Sequence, residues 1–165
     1  MSCFIPTYSV VPVKKRSTYG QFYLNIAQYP GTANVPERVK LNVEAFADYM
    51  VLQTNTIKVL KSGTFQVTMD GCVEHLSGPA AILDVWLRLN GTNVDYTTAH
   101  TRINTTIEFS TISKTVIFTM EENDTLEAWF AASNIDVGFS YAPAITTPYN
   151  APQRPAFSLS ILLIE

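Results

Sequence analysis

The run Asp84-Val85-Trp86-Leu87-Arg88-Leu89-Asn90-Gly91 decides how this chain folds. Read from Ile82 to Leu89, it alternates. Leu83, Val85, Leu87 and Leu89 fall on one side, and Asp84, Trp86 and Arg88 on the other. A period of two is that of a strand buried on one face. Asn90-Gly91 then ends the run with the residue pair that suits a tight hairpin turn.

Working outward, the same grammar recurs. Thr64 to Glu74 places Phe65, Val67 and Met69 opposite Gln66, Thr68 and Asp70, and Ser62-Gly63 supplies the turn before it. Thr56 to Leu60 alternates, and Tyr19 to Ala27 is aromatic and β-branched. After the hairpin, Asn93 to His100 is polar, a short edge strand or loop. Arg102 to Phe109, Lys114 to Met120, Thr125 to Ala132, Val137 to Ala142 and Ala156 to Ile164 read as further strands, with Glu121 to Asp124 as a turn. Leu76 to Ala80 is a loop, and Pro143, Pro148, Pro152 and Pro155 make the passage before the last strand irregular. Only Asn42 to Met50 invites a helical turn or two. Many short strands, regular turn signals and no long helix predict an all-β fold. The expected form is an antiparallel two-sheet sandwich of jelly-roll type, with a closed ligand-carrying barrel as rival.

Composition bounds what such a domain does. The chain has 165 residues, 47% of them hydrophobic, enough for one core. Only 15% are charged, against about 25% in an average domain, which points to a surface partly covered by other subunits. The net charge of −3 disfavours nucleic acid as a partner. No apolar run approaches the roughly 20 residues of a membrane span, so no membrane insertion is expected. The first thirteen residues, MSCFIPTYSVVPV, put the apolar part before the basic Lys14-Lys15-Arg16, the reverse of a secretory signal. Synthesis in a cytosol follows as an expectation, with Cys3 and Cys72 as free thiols. The sequons at Asn90, Asn104 and Asn123 then need no sugar, and Asn90 and Asn123 are good turn residues.

The sequence is poor in catalytic chemistry. It has no G-x-S-x-G elbow, H-E-x-x-H, C-x-x-C or glycine-rich phosphate loop. Asp70, Cys72 and Glu74 share one strand face while His75 points away, which weakens a common metal site, although Asp70 and Glu74 have the oxygens calcium takes. Paired carboxylates could serve a glycosidase, but nothing positive supports an enzyme. The expectation is no enzyme, no cofactor and no metal. Trp86, Trp129, Tyr96, Tyr141 and Tyr149 are candidates for stacking a sugar, against the commoner use of Trp in a core. Tyr141 and Tyr149 flank the proline-rich passage and, with Tyr96, form the candidate ligand loops.

The decisive stretch also resembles the third-strand motif of the tumour necrosis factor/complement-globular-head superfamily. The closest version is that of phage and large DNA virus virion proteins, which reads as an acidic residue, an aliphatic, Trp, Leu, Arg, then Asn-Gly. Four other segments resemble its parts in order: Tyr19 to Tyr23 its first strand, Ser62 to Val67 a glycine-aromatic strand opening, Glu122 to Trp129 its acidic turn, and Pro155 to Ile161 its closing strand. Together they cover residues 19–164. Asp95 stands where a proline often follows the Asn-Gly turn, the Asn93 to Thr101 loop has no assigned place, and the first eighteen residues have no counterpart.

The resemblance implies a ten-strand jelly-roll head, residues 19–165, carried on an arm, residues 1–18. It implies a homotrimer in which the sheet holding the first and last strands faces the threefold axis. Candidate interface residues are Phe22, Tyr23, Phe157, Leu159, Ile161 and Leu162. One face of the last strand must fill the core, leaving the other, with Ser158, Ser160, Leu162 and Ile164, for neighbours; the pattern alone does not say which is which. The function implied is a virion structural protein, a minor capsid, spike or fibre-head component made in the host cytoplasm. Lys14, Lys15 and Arg16 would help tether it to other virion proteins. The alternative is a module attaching to a host receptor or glycan on the same fold.

Overall fold

The computed structural model describes residues 18–104, 108–144 and 152–164. Lys14, Lys15, Arg16 and Tyr149 lie outside them. In chain order the strands are β1 (Tyr19–Leu24), β2 (Glu37–Arg38), β3 (Val43–Ala47), β4 (Met50–Gln53), β5 (Thr56–Val59), β6 (Gly63–His75), β7 (Ala81–Leu89), β8 (Thr92–Asn93), β9 (Ala99–Ile103), β10 (Glu108–Met120), β11 (Thr125–Ala132), β12 (Val137–Phe139) and β13 (Phe157–Leu163). No helix of the described residues is long and apolar enough to cross a membrane.

Two antiparallel sheets face each other. The first runs β10-β6-β13-β1-β3, with β12 also on β6; the second runs β4-β5-β11-β7-β8, with β2 on β11 and β9 on β7. The alternation read in the sequence is the alternation of burial. Leu83, Val85 and Leu87 are sealed inside, as are Phe65, Val67 and Met69 from the opposing sheet. Each such side chain contributes about 1.5–3 kcal/mol by leaving water. Phe139 joins the layers: its ring centroid lies 5.1 Å from Phe130 of the second sheet and 5.0 Å from Phe157 of the first.

Asn90 and Gly91 both take positive φ, 52° and 79°, and close the β7–β8 hairpin between Leu89 and Thr92. Asn90 also ties this turn to the next one. Its Nδ2 donates to Asp124 Oδ1 at 2.7 Å, and its Oδ1 accepts from the Thr125 main chain at 2.9 Å.

Three expectations change. Residues 43–47 are extended, not helical, because their main chain pairs with β1. The strands expected at Arg102–Phe109 and Lys114–Met120 are instead the end of β9 and one long β10 that pairs with β6 along its whole length. Thirteen strands occur among the described residues rather than ten, the surplus being short edge pieces such as β2 and β8. At the ends of the sandwich core, the Leu163 main-chain N–H donates to the Thr18 carbonyl at 2.9 Å, extending the β1–β13 ladder by one rung.

Candidate functional site

The register of the first sheet builds three rows, each four strands wide, on its outward face. Tyr19, Leu162, Gln66 and Ile117 stand side by side across β1, β13, β6 and β10. Gln21, Ser160, Thr68 and Thr115 form the second row; Tyr23, Ser158, Asp70 and Ser113 form the third. Asp70 is the one Asp, Glu, Lys, Arg or His among the twelve, and the Ser113 hydroxyl donates to its Oδ1 at 2.6 Å. Large apolar groups are left in water here: Tyr19 is 45% exposed, Phe46 49%, Leu162 39% and Ile117 60%. Tyr19 and Phe46 meet edge to face at 5.2 Å. With Gln66, Thr68 and Leu162 they line an open groove of about 670 Å3.

The structure corrects most of the interface residues expected from sequence. Phe22, Phe157, Leu159 and Ile161 lie in the monomer's own core, at most 2% exposed. Leu159 faces Phe22 on one side and Met69 on the other, both buried, so the parity of β13 is fixed. Tyr23 and Leu162 do lie on the outward face. Tyr19, Phe46 and Ile117 were missed. The signal for Tyr19 and Ile117 was the Gln66-Thr68-Asp70 side of β6, carried across by register; Phe46 was hidden in the segment read as helical.

At the other end of the same face the chain forms a smaller cleft of about 340 Å3, lined by Gln21, Tyr23, Asn25, Val43, Tyr141, Gln153, Pro155 and Ser158. Tyr141 donates through its hydroxyl to Gln153 Oε1 at 3.2 Å. This brings together Tyr23 and Tyr141, expected in different roles. Tyr96 is elsewhere, 93% exposed at a φ of 62° in the connection between β8 and β9.

The outward face of the second sheet has the opposite character. Glu127 and Arg88 stand opposite each other, as do Trp129 and Trp86. Arg38 Nη1 reaches Glu127 Oε1 at 2.7 Å, and the Arg88 guanidinium lies 3.8 Å from the Trp129 ring centre. Both indole N–H groups are used, Trp86 on Asn93 and Trp129 on Glu127. Burial pushes the Glu127 carboxyl up, but hydrogen bonds from Trp129, Arg38 and Thr56, with the Arg38 charge, outweigh it and hold the group below its ordinary range. Asp84 and His100 pair at 2.7 Å. The tryptophans are therefore half-buried cladding, their polar edges satisfied, and not core.

Cys72 is a buried free thiol beside Arg154. Burial raises its pKa, partly offset by that guanidinium. Glu74, on the same face, accepts from the Tyr29 hydroxyl and from Ser140 Oγ at 2.8 Å. Burial first, then the hydrogen bond and charge of Glu74, push the Tyr29 phenol above its ordinary value. His75 is buried on the inner side. Among the described residues no three His, Cys, Asp or Glu side chains come together as a metal site.

No protein-family profile matches the chain, and no curated protein resembles it significantly in sequence. Solved structures do resemble it in shape. Murine APRIL at pH 5.0 superposes with a TM-score of 0.60 at 8% identity, over 90% of this chain and all of that one. Eiger TNF from S. frugiperda gives 0.59 at 8% identity, over 90% and 93% of the two chains. The globular domain of zebrafish complement 1qA gives 0.56 at 12% identity, over 91% and 98%. At such identities the likeness is one of architecture: the chain has the tumour-necrosis-factor-like jelly-roll fold.

Proposed function

We propose that this chain is a non-enzymatic head that assembles as a homotrimer through the outward face of its β1–β13 sheet. One contrast carries the reading: the three rows of that face hold Asp70 as their one carboxylate and leave Tyr19, Leu162 and Ile117, with Phe46 beside them, in water, while the opposite face carries Asp84, Arg88 and the Arg38–Glu127 ion pair. Desolvating small hydroxyls and amides around apolar anchors costs far less than desolvating paired charges. The resemblance of the Asp84 to Gly91 stretch to virion heads extends the proposal: a virion structural component, minor capsid, spike or fibre head, with residues 1–18 as its tether to other virion proteins. Light scattering on the purified chain over a concentration series tests the assembly. A mass of three subunits is expected, and a monomer at every concentration overturns it.

A second reading, attachment to a host receptor or glycan, draws support from the Tyr23–Tyr141 cleft. It competes with the first for surface, because Gln21, Tyr23 and Ser158 of that cleft stand on the face that the trimer would bury.

A further inference from the structure

We infer that the outward face of the second sheet docks an acidic segment of a partner protein, with Arg88 as the anchor. This face is open in a monomer and in a trimer built through the other sheet, so a failed trimer would leave the site untouched.

Arg88 is already oriented. Its Nε donates to Asn93 Oδ1 at 2.7 Å, and its guanidinium lies 3.8 Å from the Trp129 ring centre. The same Asn93 oxygen accepts from the Trp86 indole at 3.0 Å. Among the described residues no hydrogen bond or ion pair claims the two terminal nitrogens of Arg88. A guanidinium fixed through its Nε and along one flat side loses little further freedom on binding, and its fork fits the two oxygens of a carboxylate. Arginine and tryptophan are also the residue types that anchor protein interfaces. Both indole N–H groups are spent, on Asn93 and Glu127, so the rings offer a partner apolar contact without stranding a donor.

Charge sets the sign of the partner. The chain has a net charge of −3. Yet the outward positions of these strands carry Arg38, Lys58, Arg88 and Arg102 against Asp84 and Glu127. Both carboxylates already have partners, Glu127 in Arg38 and Asp84 in His100. Glu127 stands opposite Arg88 on the neighbouring strand, but its Oε1 is held by Arg38 and Thr56 and its Oε2 by Trp129. An incoming carboxylate thus meets Arg88 without displacing a partner. The borders have the other sign, with Asp95 in the connection between β8 and β9 and Asp124 in the turn before β11. They disfavour a dense polyanion, since like charges brought together are costly. Arg102 stands opposite Ile82, at the far end of β7 from Arg88 and about 20 Å away at roughly 3.3 Å per residue. Carboxylates spaced to meet both belong to a protein surface rather than to one or two sugar rings.

The test is a phage-displayed library of random dodecapeptides selected on the full-length chain. Enriched peptides are synthesised and titrated against wild type, Arg88→Ala, Arg88→Lys, Arg102→Ala and Arg154→Ala, with melting temperature and solution mass measured on each protein. Arg154 lies on the other side of the sandwich, beside Asp70 and Ser158. Peptides richer in Asp and Glu than the starting library are expected. Arg88→Ala should weaken them by roughly tenfold or more, as for an interface anchor. Arg88→Lys, which keeps the charge but not the fork, should weaken them as well. Arg102→Ala should weaken them less, and Arg154→Ala should leave them unchanged. A selection that returns no acidic bias overturns the inference, as do acidic peptides that bind folded Arg88→Ala or Arg88→Lys as tightly as wild type. A glycan array carrying neutral, sialylated and sulfated glycans is probed in parallel. Arg88-dependent glycan binding without acidic peptides would give the face to a saccharide and overturn the protein partner.

Discussion

Leu162 stands directly opposite Tyr19 across the β1–β13 pair, and both side chains turn away from the core into water. Three residues earlier on the same strand, Leu159 is fully buried between Phe22 and Met69. Two leucines of one strand thus answer to different partners. Leu162→Glu should split the proposed trimer into monomers while changing monomer stability by no more than about 0.5 kcal/mol. Light scattering and thermal melting read the two effects separately. A Leu162→Glu protein that keeps three subunits would place the interface elsewhere.

Leu159→Ala makes the complementary case. Truncating a sealed leucine removes transfer energy and leaves a cavity, so a loss of about 2–5 kcal/mol is expected. Urea titration followed by intrinsic fluorescence measures it. A loss below 1 kcal/mol would contradict the assignment of this strand face to the core.

Glu127 links pH to stability. Its folded pKa is lowered, so its contribution is full above the unfolded value of about 4.3 and is lost as pH falls through the folded one. Wild type should therefore exceed Glu127→Gln in stability at pH 7, and the gap should close on acidification below about pH 4. Parallel denaturant titrations from pH 7 to pH 3 give the comparison; a gap that widens in acid would reverse the sign of the argument.

Gly91 and Gly138 separate two reasons for glycine. Gly91 sits at a φ of 79° with nothing within 4 Å of an added Cβ. Gly91→Ala should thus cost only the left-handed backbone penalty, about 1–2 kcal/mol. At Gly138 an added Cβ would collide with the Gln28 carbonyl oxygen and approach Tyr29 Cδ1 to 2.7 Å. Gly138→Ala should cost more than Gly91→Ala, by pushing apart the Gln28–Phe139 bridge. Equal losses in chemical denaturation would refute this contrast.

The fold was legible where side chains announce it. Thr125 to Ala132 alternates, and β11 has those bounds. Ile82 to Leu89 was short of β7 by one residue. The reading failed where the main chain alone decides. Val43–Ala47 is an edge strand with little burial to enforce a period, and a register shift between Gln21 and Phe22 disturbs what remains. The two halves of β10 were separated because Ser110, Thr111 and Ser113 offer no apolar run, yet they pair with β6 without a break. The candidate face was legible only in part. Phe157 to Leu163 carries apolar groups on both parities near its end, so only its neighbours' register tells inside from outside. The meeting of Tyr23 with Tyr141 depends on long-range topology that no local pattern encodes.

The Thr18–Leu163 rung has an engineering consequence. Because the first and last strands of the sandwich are hydrogen-bonded neighbours, the two ends of the described core emerge side by side. A short linker could join them, and a new opening could be cut at Asn90-Gly91, whose turn is exposed. The jelly roll would then be a cassette that can be circularly permuted, or inserted into a surface loop of another protein, with both junctions at a single pole.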